Sequence, residues 1–195
     1  MTRPIERGVS PIFPERWSPR AFDAAATLSD ADLLRLFEAA RWAPSAYNSQ
    51  PWRFLYARRG GAFWAEYLDC LIPFNRAWAE HASVLVAALS AQQFTPPGSD
   101  KVVVTGSHSF DTGAAVAYLA LQASIAGWGA HIISGIDKEK ARKSLNVPAD
   151  HQVEAFIVIG KRGNPDSLPD ALKAREKPSE REALGTRVAE GRFAF

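Results

Sequence analysis

From Thr112 to Ile136 the chain carries no Asp, Glu, Lys or Arg. A run of that length without charge has two ordinary fates, a membrane span or a segment buried inside protein. Its composition points to burial. It is rich in Ala and Gly, with Gln122 and His131 as polar interruptions and Gly127 and Gly129 as breakers. The expected structure is a long helix capped by Asp111 and reaching Ala126. Gly127 then sits at the position where a left-handed residue ends a helix. A short strand over 131–134 follows. The helix is small on several faces (Gly113, Ala114, Ala117, Ala120, Ala123, Ser124), so another backbone can approach it closely. That backbone could belong to the same chain or to a second copy, and the residues alone leave both open.

Elsewhere strands and helices alternate irregularly. Ser29 is a plausible N-cap, with Asp30 and Asp32 in a first turn whose dipole favours acids. Leu33, Phe37 and Ala40 give that helix an apolar face, which stops before Pro44. Residues 52–57 read as a strand, 62–71 as a helix, 76–81 as a helical turn and 84–89 as a buried strand. The segment 92–110 is the least regular, a loop around Thr95-Pro96-Pro97-Gly98-Ser99. A capped helix over 137–145 and a central strand over 153–159 complete the pattern. The expected fold class is α+β, with a mixed central sheet flanked by helices. Residues 1–195 read as one domain, with an N-terminal arm over 1–14 and a C-terminal arm over 161–195.

Several functions are excluded. Net charge is +2, which argues against nucleic acid as a partner. Basic residues crowd between Lys161 and Arg192, a run that reads as a solvated arm. The single Cys70 rules out an intrachain disulfide and suits a reducing compartment. Four scattered histidines make no metal-ligand spacing. The N-terminus lacks the apolar core of a signal peptide, so the expectation is a cytoplasmic protein with no membrane partner. Gly127 and Gly129 are followed by Ile132, so there is no dinucleotide fingerprint of the Gly-x-Gly-x-x-Gly type. A phosphate loop and a Gly-x-Ser-x-Gly elbow are also missing from the sequence.

Two motifs carry chemistry. Arg16-Trp17-Ser18-Pro19-Arg20 sets two guanidiniums and a hydroxyl within five residues, and such groups match phosphate oxygens. Pro44-Ser45-Ala46-Tyr47-Asn48-Ser49-Gln50 is a turn-rich loop. Its Asn48 and Gln50 each offer a donor and an acceptor, as reading the edge of a planar heterocycle requires. A surface cluster of arginines and a purely structural turn are the plain alternatives.

Together these motifs resemble the FMN-dependent nitroreductase family, and the resemblance runs from Arg16 to about Arg181. It implies that Arg16 and Ser18 hold the flavin phosphate and polyol chain, with Trp17 contributing backbone. It places Arg20 on the N1/C2=O side of the ring. Pro44, Ser45 and Ala46 would pack against the flavin, often across a dimer interface, and Asn48 and Gln50 would be its polar readers. Pro73-Phe74-Asn75-Arg76 nominates Asn75 for the pyrimidine edge, although a helix cap explains that asparagine equally well. Ser134 and Gly135 match the stretch whose backbone approaches N5, with serine standing where many relatives carry glutamate. For the C-terminal phosphate contact Lys161, Arg162, Arg175, Lys177 and Arg181 compete, with Arg181 first and Arg175 second.

The resemblance further implies bound FMN, NADH or NADPH as a transient electron donor, and a homodimer whose flavins touch both chains. The acceptor would be a nitroaromatic, a quinone or a related small electrophile. Dehalogenation or ring oxidation on the same fold, and flavin storage without turnover, are the alternatives. No side-chain nucleophile is expected, so no residue is nominated as catalytic.

Overall fold

The computed structural model describes residues 3–195. The first two residues of the expected N-terminal arm lie outside them. After a single helical turn, α1 (Ile12–Glu15), comes α2 (Asp30–Arg41), whose start is capped as the sequence indicates. The Ser29 hydroxyl accepts from the Asp32 amide at 3.1 Å. The chain continues through β1 (Trp52–Arg58), α3 (Trp64–Asp69), α4 (Pro73–Ala79) and β2 (Val84–Ala91). Next come the short β3 (Gln93–Phe94) and β4 (Val103–Val104), then the long α5 (His108–Ile125). Last are β5 (Gly129–Ile133), α6 (Lys138–Ser144), β6 (His151–Gly160) and α7 (Asp170–Lys173).

Four strands form the main sheet in the order β1-β2-β6-β5. Side chains alternate across a strand, and here both faces are apolar, so the sheet must be covered twice. Leu85, Ala87 and Leu89 of β2, with Phe156 and Val158 of β6, face Tyr67 and Leu68 of α3, Trp78 of α4 and Ala141 of α6. Val84, Val86, Ala88, Ile157 and Ile159 face the opposite way, onto Leu33, Leu36 and Ala40 of α2 and Ala115, Leu119 and Ala123 of α5. The helix-flanked α+β architecture is therefore as expected. The strand directions are not mixed among the described residues: β1–β2, β2–β6 and β5–β6 all run antiparallel.

The uncharged run is buried in protein, as composition indicates, and Gly127 takes the left-handed conformation (φ 74°) just past α5. The start of α5 differs from expectation. The helix begins at His108, three residues before Asp111. Asp111 lies inside the first turn, 4% exposed, where it accepts from the Ser107 hydroxyl (2.9 Å) and the Ala46 amide (3.1 Å). The loop over 92–110 is also less plain than expected, since β3 and β4 pair within it as a small antiparallel ribbon.

One crossing positions the opening motif. The segment leaving Arg20 pairs with the chain just beyond β6: the Gly163 amide donates to Ala21 O and the Asp23 amide to Lys161 O, both at 2.9 Å. Phe22 bridges Arg162 there. A Cβ on Gly163 would stand 2.6 Å from the carbonyl carbon of Phe22 and 2.8 Å from the Asp23 nitrogen, both rigid backbone. Only glycine permits that approach. Gly163→Ala is expected to destabilise the fold by about 1–3 kcal/mol, whereas Gly185→Ala, whose Cβ meets nothing within 4 Å, should change stability by less than about 0.5 kcal/mol. Urea unfolding of both variants checks the contrast.

Candidate functional site

Arg16, Trp17, Ser18 and Arg20 line one cavity of about 420 Å3, together with Arg3, His131, Arg175, Lys177, Ser179 and Arg181. Six cations thus converge on one space. Arg16 Nη1 lies 3.5 Å from the Ser18 hydroxyl. The Arg20 guanidinium sits over the Trp78 ring, 5.9 Å from its centroid. Its buried Nε has no hydrogen-bond partner among the described residues. Burial, then the neighbouring Arg3 and Arg181, lowers the proton affinity of Arg16. Burial and Arg175 lower that of Arg20, with Glu176 opposing. Like charges crowded around an unpartnered donor are what a multiply charged anion would relieve.

The crowding is held by backbone. Glu176 accepts from the Arg20 amide at 2.9 and 3.0 Å and from the Ala21 amide at 2.9 Å, so its charge fixes the motif from behind. Arg3 binds across the entrance, donating to Pro14 O (2.6 Å), to Ser179 O (3.1 Å) and to Arg16 O. Of the five C-terminal cations that compete in the sequence, Arg175, Lys177 and Arg181 reach the cavity. Lys161 instead lies over the Trp128 ring and Arg162 lines other grooves.

His131 escapes the sequence reading, although it is the one basic side chain in the run from 112 to 136. It is 9% exposed and stacks on Trp78 with ring centroids 4.8 Å apart. Its Nδ1 lies 2.9 Å from Pro19 O, so Nδ1–H donates there and Nε2 is left for the cavity. Desolvation, reinforced by Arg20 and Arg16 and partly offset by the Pro19 carbonyl, lowers its pKa to about 4.

Asn75 and Gly135 meet directly: Asn75 Nδ2 donates to Gly135 O at 2.9 Å. A Cβ on Gly135 would fall 2.5 Å from that nitrogen. Asn75 is the third residue of α4 and caps nothing, since Ile72 precedes the helix. Ser134 is exposed beside this pair. The group follows β5 directly, and four residues of extended chain from His131 to Gly135 span about 13 Å. Asn75, Ser134 and Gly135 do not line the cation cavity itself.

The loop Pro44–Gln50 is not brought to this cavity. It leaves α2 and is tied to α5 through Asp111, on the opposite face of the sheet from Trp78. Tyr47, Asn48 and Gln50 all have positive φ (54°, 52° and 46°), a costly conformation for residues other than glycine. Gln50 Nε2 donates to Asn48 O and its amide to Ser45 Oγ, both at 3.0 Å, which holds the shape. Pro44, Asn48 and Gln50 are exposed, while Ala46 and Tyr47 line a separate apolar cavity with Phe94 and Val104. Within one chain the two motifs form two surfaces rather than one pocket.

The Nitroreductase family model matches residues 14–161. The chain belongs to the nitroreductase family. An oxidoreductase containing FMN, of known crystal structure, is 41% identical and superposes with a TM-score of 0.94 over 98% of this chain and 96% of its own. The oxygen-insensitive NADPH nitroreductase of Helicobacter acinonychis (strain Sheeba) is 25% identical, covering 84% of this chain and 90% of that protein. A nitroreductase family protein from Streptococcus pneumoniae TIGR4 shares the fold at 21% identity, with a TM-score of 0.74 over 92% of this chain and 98% of its own. The family member's sheet, its cation cavity and its separate polar loop are the parts from which a function must be assembled.

His131 makes stability depend on pH. The unfolded imidazole takes a proton near pH 6.5 and the folded one only near pH 4. Its contribution is therefore complete above about pH 6.5 and is lost as pH falls toward 4, a change of about 3 kcal/mol. His131→Phe should flatten that part of the profile, as read from urea unfolding at matched pH values.

Proposed function

We propose that this family member is an FMN-dependent oxidoreductase, working as a homodimer in a cytoplasmic setting. It would accept two electrons from NADH or NADPH and deliver them to a nitroaromatic, quinone or related electrophile in ping-pong order. The observation that carries the reading is the cavity with six converging cations and the orphaned Nε of Arg20. That donor set fits one phosphate and its neighbouring ring edge. The similarity to an FMN-containing oxidoreductase supports the same choice.

FMN, when bound, supplies the two-electron relay between nicotinamide and acceptor. Arg16 and Ser18 would hold its phosphate, joined by Arg175, Lys177 or Arg181 from the C-terminal arm, with the Trp17 backbone alongside. Arg20, fixed by Glu176 and Trp78, places a positive charge that favours a reduced, more negative ring. Asn75 would keep the pyrimidine edge in register while its amide holds Gly135 O, leaving the Ser134–Gly135 backbone beside N5. No side chain is required as a nucleophile.

The loop with Pro44, Ser45, Ala46, Asn48 and Gln50 would complete the site from the second copy, since its own chain holds it on the far face of the sheet. α5 supports a paired state: Phe110, Gly113, Ala117, Tyr118 and Ile125 are exposed and uncharged, and a Cβ at Gly113 would meet nothing. Such a face lets two backbones approach closely. The single buried Cys70 suits a reducing compartment, and no described helix is long and apolar enough to cross a membrane.

Two arginines four positions apart should fail differently. A charged hydrogen bond is worth about 1.5–3 kcal/mol, so Arg16→Ala should weaken FMN binding about 10- to 100-fold while the flavin that remains reduces normally. Arg20→Gln should keep most of the flavin and lower its reduction potential, because only the charge is removed. FMN affinity and redox potential on both variants separate the roles. A protein that binds no FMN, or an Arg20→Gln variant that loses flavin without a change in potential, refutes the assignment.

A further inference from the structure

Among the side chains that line the cation cavity, the arginines and Lys177 can only donate, and Ser18 and Ser179 bring neutral hydroxyls. His131 is different, because one proton changes what it offers. Its Nδ1–H is committed to Pro19 O and its ring is clamped on Trp78. Nε2 is therefore the only atom of the ring free to change, and it can do so without the ring moving.

The charges around it are nearly all of one sign. Arg16 and Arg20 face it from the opening motif, Arg3 from the N-terminal arm, and Arg175, Lys177 and Arg181 from the C-terminal segment. The one carboxylate nearby, Glu176, is engaged with the Arg20 and Ala21 amides. From α4 the ring meets the uncharged Trp78, and across β6 its pairing partner is Val158. Burial is the main reason the imidazole stays neutral, and the charges of Arg20 and Arg16 add to it; a dianion entering this cavity would cancel that repulsion and attract the proton that burial disfavours. Linkage then makes the effect reciprocal, since a ligand that favours the protonated ring is itself bound more tightly by it.

We propose that His131 is a proton-coupled ligand of this cavity: neutral without an anion, it takes up one proton at Nε2 as a dianion such as a phosphomonoester binds, and then donates to it. Protein and ligand thereby gain one proton from solvent and no covalent bond changes. The proposal rests on the reading of the cavity as an anion site and deepens it. His131 acts as a proton-adjusting positioning residue, so that a dianion binds more tightly as pH falls through the midpoint of the bound ring toward that of the free one.

The test uses the full chain with its four histidines isotopically labelled, and inorganic sulfate and FMN as separate probes. Sulfate remains a dianion across pH 4–7, which removes the ligand's own titration from the result. Nuclear magnetic resonance, with His131→Gln to assign its signal, should find the His131 midpoint near pH 4 alone and at least one unit higher with either probe. Calorimetry at pH 4.5 in two buffers of different ionisation heat should report uptake of ~0.5 proton or more on sulfate binding, and none beyond background in His131→Gln. Sulfate and FMN that bind while the His131 midpoint stays still would overturn the proposal and leave the anion site standing. A His131 that titrates near pH 6.5 without ligand would also overturn it. If neither probe binds, the anion site itself falls and the proposal falls with it.

Discussion

The arrangement depends on one carboxylate. Glu176 grips the amides of Arg20 and Ala21, and so joins a segment near the start of the chain to one near its end. Together with the crossing at Gly163, that grip holds Arg16 and Arg20 against the repulsion of Arg3, Arg175 and Arg181. The cost of crowding is visible in the lowered proton affinities of Arg16 and Arg20. Stability comes from elsewhere, chiefly the sheet buried on both faces and the crossing at Gly163. The fold can therefore tolerate a strained electrostatic site, and an anion that enters it recovers the energy of that strain.

The sheet also keeps the two motifs apart within one chain. The cavity sits on the face covered by α4, whereas the Pro44–Gln50 loop is tied to α5 on the other. Strand alternation enforces this: His131 and Ile133 point one way, Ala130 the other. Three non-glycine residues of that loop are held at positive φ, a costly shape that the proposed homodimer would use in its second chain's site. The uncharged outer face of α5 gives the surface on which a second copy would supply it.

Much of this was legible in the sequence, for local reasons. Ser29 capping α2 and Gly127 ending α5 follow from backbone chemistry within a few residues. The uncharged run predicted a buried helix and strand because burial selects composition directly. The opening motif was legible because its cations are neighbours in the chain. What escaped was non-local. The start of α5 was misplaced because Asp111 serves the distant Ala46 amide as well as Ser107, and a caps-only reading cannot weigh such a partner. Glu176 lies within the run that reads as a solvated arm, and nothing near it in sequence announces Arg20. His131 was a polar interruption in an apolar run, whose meaning needs Pro19, Trp78 and the cations supplied by folding. The antiparallel directions of the sheet likewise depend on which strands meet, which irregular alternation does not disclose.

The most direct test of the account is a crystal structure of the protein grown with FMN. The expected result is a flavin whose phosphate lies among Arg16, Ser18 and the C-terminal cations of one chain, with the Pro44–Gln50 loop of a second chain against its ring. A flavin held wholly within one chain, or a phosphate bound away from Arg16 and Ser18, would contradict it.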